Sequence, residues 1–378
     1  MREPAGLYVH VPFCTSVCPY CDFAVTIAGA DRRRAWLAGV AREATLATWE
    51  GPRFDTLYLG GGTPSVLASD ELVDLLGALR RRLPVAADCC ITLEANPEHA
   101  TTEALDGWRD AGVRTLSLGV QSFDDRDLAF LGRRHDGVRA RQALTAAVAA
   151  GFDVVSADLI FGLPGQGPEA WRRQLDGAVA LGARHLSCYQ LTVHGGTVLG
   201  RRASAGRFRE APEGAQAELF HLSFEHLGRL GWQGYEVSSF AATAADRSRH
   251  NRKYWTHVPY LGLGPSAHSF DGRKRWWNHR KLRHWQRAVD VGEPPVEGCE
   301  ELSAEALLTE AVMLAVRTAD GLDLELVRAR HGLDLERARA REIADLERGG
   351  LLRRDGAFLR PTVAGLAVAD AVARALLG

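Results

Sequence analysis

Between Leu7 and Leu191 the chain alternates short apolar runs with longer amphipathic stretches, six times in succession, and few architectures can absorb that rhythm. The runs are Leu7–Val11, Thr56–Leu59, Cys90–Leu93, Thr115–Leu118, Val154–Ile160 and His185–Leu191. Each is rich in β-branched or aromatic residues and closed by Gly, Pro or polar residues, as buried strands are. The intervening stretches carry helical spacing, for example Leu72, Val73, Leu75, Leu76 and Leu79. Ser69 is expected to cap that helix and Thr101 or Thr102 the next; Pro168 to Leu181 forms a third, ended by Gly182. Six strand–helix units in series predict an α/β fold with a parallel sheet and helices outside it. A curled partial barrel and an open doubly wound sheet both satisfy the pattern.

Such folds place their chemistry at the C-terminal ends of the strands. Here those ends carry Cys14 onward, Gly60-Gly61-Gly62-Thr63-Pro64, Glu94-Ala95-Asn96-Pro97, Gln121 and the region of Asp158. Residues 194–300 are less regular, rich in Gly, Arg, His and Trp, with one clear helix at 215–230. From Leu302 helices dominate, at 307–316, 324–330 and 335–348. Gly349-Gly350, a strand-like stretch to Leu359 and a last helix follow, together resembling a winged-helix appendage.

Composition narrows the function classes. A net charge of −1 offers no basic footprint for nucleic acid. No apolar run approaches the ~20 residues of a membrane span, and no secretory leader is visible, so a cytoplasmic location is expected. The seven cysteines are unevenly spread: three fall within eight positions. Cys89, Cys90, Cys188 and Cys299 read as buried structural thiols.

Cys14, Cys18 and Cys21 are spaced C-x3-C-x2-C. Three thiolates on one loop can converge on an iron–sulfur cube, leaving its fourth iron open. An open iron can be chelated by the amino and carboxylate groups of S-adenosylmethionine. A structural zinc site, completed by His10 or Asp22, is the alternative. Glycines 60–62 permit close backbone approach, so their amides can face a polar ligand. Glu94 can accept from ribose hydroxyls or an ammonium, and an acid ending a buried strand needs such a partner.

The cysteine loop resembles that of the radical S-adenosylmethionine superfamily. The wider string Tyr8-Val9-His10-Val11-Pro12-Phe13-Cys14, with Cys18-Pro19-Tyr20-Cys21-Asp22-Phe23, resembles the oxygen-independent coproporphyrinogen oxidase group, and within it the heme-chaperone branch. The resemblance implies a (β/α)6 partial barrel at 1–200, a barrel extension at 201–300 and a mostly helical, winged-helix-like domain at 301–378. It implies a [4Fe-4S] cluster on Cys14, Cys18 and Cys21. It further implies S-adenosylmethionine contacts from Gly61, Gly62, Thr63, Glu94, Gln121, Arg133 and Asp158, with Arg133 facing the methionyl carboxylate and Asp158 the ribose. Tyr8 and Tyr20 match positions that cover the adenosine.

Two functions follow from the resemblance. The oxidases carry a fourth cysteine two positions past the third, where this chain has Phe23, and a longer segment ahead of the position of Tyr8. His250-Asn251-Arg252-Lys253-Tyr254-Trp255 matches the H-N-x-x-Y-W string of the chaperone branch, which makes His250 and Tyr254 expected heme contacts. Arg247, Arg249, Arg252 and Lys253 could meet the propionates. The expected function is therefore a heme chaperone, with heme as cargo, hemoproteins as recipients and a flavodoxin or ferredoxin as electron donor. The alternative is an oxygen-independent coproporphyrinogen III oxidase. Ser239 and His194 depart from the group, which usually shows Asn and Glu there.

Overall fold

The computed structural model describes residues 3–27 and 29–378. Strands β1 (Ala5–Val11), β2 (Phe54–Gly61), β3 (Val85–Ala95), β4 (Val113–Gln121), β5 (Val154–Phe161) and β6 (His185–Gln190) pair in chain order, every pair parallel. Helices α1 (Ala30–Leu46), α2 (Ser69–Arg82), α3 (Thr102–Asp110), α4 (Asp125–Phe130), α5 (Gly137–Ala149) and α6 (Pro168–Ala180) fill the crossovers. The strand order runs from β1 to β6 without the reversal of a doubly wound sheet, so right-handed crossovers put every helix on one face and the open-sheet alternative falls away; with β1 and β6 unpaired, the curled sheet is a (β/α)6 partial barrel.

The apolar runs look continuous in sequence, but the structure sorts them with a period of two. Leu7, Val9, Leu57, Leu59, Ile91, Leu93, Leu116, Leu118, Val155 and Leu186 lie in one core with Trp36, Leu72, Trp108, Leu144 and Trp171 of the helices. Each such side chain contributes ~1.5–3 kcal/mol by leaving water. The interleaved residues turn the other way. Tyr8, His10, Tyr58, Glu94, Ser117 and Asp158 form a polar, aromatic interior whose members hydrogen-bond or stack on one another.

The stretch expected to be irregular instead widens the sheet. After α7 (Val198–Ser204) and α8 (Glu213–Arg229) come β7 (Gln233–Gly234) and β8 (Ser239–Ala241), the latter antiparallel to β6. Helix α9 (Arg249–Trp255) leads to β9 (Tyr260–Leu263), parallel to β1. Then follow β10 (His268–Phe270), β11 (Lys274–Asn278), α10 (Leu282–Asp290) and β12 (Val296–Glu301), giving twelve strands ordered β12-β11-β10-β9-β1-β2-β3-β4-β5-β6-β8-β7. Strands of two to six residues are too short for periodicity to betray them.

The appendage comprises α11 (Ala304–Ala315), β13 (Leu322–Asp323), α12 (Leu324–His331), α13 (Leu335–Ala338), α14 (Ala340–Arg348), β14 (Leu352–Asp355), β15 (Phe358–Pro361), α15 (Val363–Ala367) and α16 (Ala369–Leu377). It has its own core around Val312, Val327, Ile343, Leu359 and Leu376. Arg275 ties it to the barrel by an ion pair with Glu310 at 2.6 Å.

Two local expectations are corrected. Ser69 is the first helical residue and not the cap: Ala68 takes that position, and the Glu71 carboxylate accepts its backbone N–H at 3.0 Å. Cys299 is exposed, because β12 is the edge strand, and Cys90 is half-buried; Cys89 and Cys188 are buried as expected. Thr101 does cap α3, accepting from Ala104 N–H. Among the described residues no helix is long and apolar enough to cross a membrane.

Candidate cofactor site

Parallel strands deliver their C-terminal ends to one rim, and there a cavity of about 460 Å³ opens. Cys14, Cys18, Cys21 and Tyr20 form one wall, Gly61, Gly62 and Thr63 another, and Glu94, Gln121, Arg133 and Asp158 complete it. The structure therefore brings together every expected cluster ligand and every expected S-adenosylmethionine contact except Tyr8, which lies deeper in the barrel. Its hydroxyl bonds His10 Nδ1 at 3.1 Å and its ring stacks on Tyr58.

The cysteine loop is pinned along its length. Cys14 N–H donates to Thr26 O and Thr26 N–H to Pro12 O, at 3.0 and 2.7 Å. Leu199 N–H donates to Pro19 O at 2.8 Å, and Arg280 holds Asp22 O at 2.6 Å. His10 Nε2 is bonded to Ala24 O, so with Tyr8 on its other nitrogen it has no lone pair free for a metal. No group of three or more His, Cys, Asp or Glu side chains among the described residues gathers around a single ion. Of the two fourth ligands considered for zinc, His10 is committed to its bonds with Tyr8 and Ala24.

Glycine is required at the opposing wall. Gly61 has φ +113°, and a Cβ there would fall 2.5 Å from the His10 ring; one on Gly62 would lie 2.8 Å from Phe13 O. Side chains at either position would collide with the His10 ring or with the backbone leading into the cysteine loop. Gln121 holds φ +63° without being glycine, a conformation that costs on the order of 1 kcal/mol and keeps its amide at the cavity.

The electrostatics are those of a site short of partners. Arg133 donates to Asn96 Oδ1 at 2.6 Å and Gly119 O at 3.1 Å, and reaches Cys18 Sγ at 3.6 Å. Its buried Nε has no partner. Burial raises the Glu94 carboxyl to about 7, although Tyr58 O–H at 2.8 Å and Gly61 N–H at 3.2 Å donate to it. Burial likewise lifts Asp158 to about 6 against the hydroxyls of Ser187, Ser117 and Ser156. The Cys14 thiol is pushed up to about 11 by burial despite Thr63 Oγ1 at 3.3 Å. A buried cation, two carboxyls reluctant to ionise and three converging thiols fit a bulky polar ligand beside a thiolate-bound metal cluster.

Sequence reasoning missed several lining residues. Asn96, which orients Arg133, sits in the quoted Glu94–Pro97 turn but was given no role. Tyr58 bonds Glu94, and its place between Leu57 and Leu59 was the available signal. Exposed His194 lines the mouth.

His250 and Tyr254 lie elsewhere. His250 is 2% exposed, with Nδ1 bonded to Thr56 Oγ1 and Nε2 to Tyr254 O–H, both at 2.9 Å. Its ring rests on Tyr58, and burial, reinforced by Lys253, depresses its pKa to about 3. Three of the four expected propionate partners are also engaged, Lys253 and Arg249 with Asp55 and Arg247 with Asp320, while Arg252 is exposed. Helix α9 is thus a seated structural element in this conformation.

Residues 8–176 match the model of the radical SAM superfamily and residues 302–368 that of the HemN C-terminal domain. The chain is 39% identical to the heme chaperone HemW of Mycobacterium tuberculosis, covering all of this chain and 95% of that one. It is 35% identical to HemW of Escherichia coli K12 over 78% and 81% of the two chains. Against a mitochondrial radical S-adenosyl methionine domain-containing protein 1 of Bos taurus the figures are 34%, 85% and 74%. The solved coproporphyrinogen III oxidase HemN of Escherichia coli superposes with TM-score 0.84 at 22% identity, covering 99% of this chain and 90% of that one, a likeness of fold. With a three-cysteine cavity at the rim of a partial barrel and similarity from end to end, the chain belongs to the HemW family of the radical S-adenosylmethionine superfamily.

Proposed function

We propose that this chain binds heme and passes it to hemoproteins, with a [4Fe-4S] cluster on Cys14, Cys18 and Cys21 and S-adenosylmethionine beside it. One observation carries the reading: a cavity lined by the three cysteines and by every expected S-adenosylmethionine contact but Tyr8 occurs in a chain that matches heme chaperones along its whole length. When bound, the cluster supplies the electron that cleaves the cofactor's sulfonium. The protein's own part is to hold and orient. Gly61 and Gly62, whose own N–H groups are held by Glu94 and Val11 O, let the backbone approach the amino end closely; Arg133 meets the carboxylate, Glu94 and Asp158 meet hydroxyls or the ammonium, and Tyr20 closes over the adenosine. The oxidase alternative finds less support, since Phe23 is a 71% exposed aromatic ring where the oxidases have sulfur.

For heme, His250 and Tyr254 become available only when α9 leaves its seat. The His250–Thr56 hydrogen bond, the Lys253–Asp55 pair at 2.7 Å and the bond from Lys253 Nζ to Pro4 O oppose that movement. A heme ligand from this helix therefore entails a conformational change on loading. The test is to titrate anaerobically reconstituted protein with heme and follow the Soret band, with hydrogen exchange read at residues 249–255. The expected result is a shifted Soret band with faster exchange in α9. No shift in the wild-type chain would end the chaperone reading.

A further inference from the structure

We infer that the basic hollow on the outer side of the cysteine loop is the docking surface for a small acidic protein that delivers single electrons. The inference rests on the proposal that Cys14, Cys18 and Cys21 hold an iron–sulfur cluster.

The hollow, about 720 Å³, lies between the cysteine loop, the first turn of α1 and the turn entering α10. Phe23 and Val25 line both this hollow and the cofactor cavity, so a single layer of side chains separates the two. Arg32, Arg280, Lys281 and Arg283 surround it, and none of its lining residues is a carboxylate. In a chain of net charge −1, that concentration is a local feature. At its edge the exposed Phe23 ring offers an apolar anchor. The Arg280 contact to Asp22 O at 2.6 Å fixes the wall between cavity and hollow.

An apolar centre inside a charged rim is how transient protein interfaces are built, and uniform charge steers the encounter of an oppositely charged partner. A cluster that gives up an electron must receive another from outside, and this is a face one side-chain layer thick. The partner is accordingly a small carrier with carboxylates around its redox centre. In the step, the carrier is oxidised by one electron and the cluster reduced by one, with no bond made or broken. Heme itself is disfavoured as the occupant, because no His, Cys, Met or Tyr lines the hollow to serve as axial ligand.

The test uses the reconstituted full chain, with photoreduced flavodoxin as donor and stopped-flow bleaching of the cluster as readout; calorimetry with oxidised flavodoxin reports binding independently. The wild-type rate should fall steeply with added salt. Lys281→Glu with Arg283→Glu, which leaves the Arg280–Asp22 contact intact, should lower the rate and the affinity about tenfold or more. Phe23→Ala, which keeps every charge, should lower them less. Dithionite should reduce the charge-reversed variant at the wild-type rate, with iron content unchanged. Reduction of the charge-reversed variant by flavodoxin at the wild-type rate would overturn the inference. So would loss of the heme Soret shift in that variant with carrier reduction intact, which would assign the hollow to cargo. A wild-type chain that takes up no iron would instead remove the cluster proposal beneath it.

Discussion

The barrel rim and the seat of α9 are built from similar side chains, yet only one is set up to receive something. At the rim, Arg133 keeps a buried Nε without a partner, and Glu94 and Asp158 sit near 7 and 6. At the seat, His250 has both nitrogens bonded and lies against Tyr58, which in turn donates to Glu94. Buried polar groups left short mark a place where the fold accepts a cost that a ligand can repay. Satisfied ones mark architecture. The two regions share Tyr58, so they are neighbours in one hydrogen-bonded interior that differ in what remains unfilled.

The hardest blow to that contrast is to remove a ligand from the rim. Cys14→Ala, Cys18→Ala or Cys21→Ala should abolish the iron and acid-labile sulfide of anaerobically reconstituted protein, measured by iron and sulfide assay, with the fold retained by circular dichroism. Next comes Arg133→Ala, expected to weaken S-adenosylmethionine binding ~10–100-fold by calorimetry, the size of a lost charge-assisted hydrogen bond. Lys at that position should restore only part of it, lacking the planar fork.

At the seat, His250→Ala should lower stability by ~2 kcal/mol in denaturant unfolding, because it opens a cavity and strands Thr56 and Tyr254. Its effect on S-adenosylmethionine affinity should stay below about threefold. Unchanged stability together with a lost Soret shift would recast α9 as a ligand element and erase the contrast.

The regions should also titrate with opposite signs. Glu94 holds its proton to about 7 when folded, against ~4.3 unfolded. Stability of the unliganded chain is therefore lost as pH rises from ~4.5 to 7, and Glu94→Gln should remove ~1–2 kcal/mol of that decline. His250 stays neutral to about 3 when folded, against ~6.5 unfolded. Stability is therefore gained as pH rises through that window, and His250→Phe should flatten the gain. Thermal melts of the two variants from pH 4 to 8, each set against wild type, check both slopes. The smallest effect belongs to neither region: Cys299→Ser on the exposed edge strand should shift stability by less than ~0.5 kcal/mol.

Much of the rim was legible in the chain because its signals are local. Cys14, Cys18 and Cys21 lie on one loop, Gly61 and Gln121 end strands, Glu94 stands one residue short of an end, and Asp158 lies within β5, each in or after an apolar run that announces it. Parallel pairing then gathers those ends without further information. His250 misled because residue type and string describe a side chain's chemistry and not its surroundings. Only Thr56, 194 positions away along the chain, and Tyr58 close to it settle that the imidazole is enclosed. The short strands β7 to β12 escaped notice for a related reason, being too brief to show alternation and held by their neighbours in the sheet.

By itself the sequence determined the strand–helix rhythm, the trio of thiols and the glycines that face them, since each depends on residues close together in the chain. The tertiary structure alone decided which polar groups end up paired. That outcome depends on contacts between residues as distant as Thr56 and His250 or Asn96 and Arg133, and on a burial that no local pattern encodes.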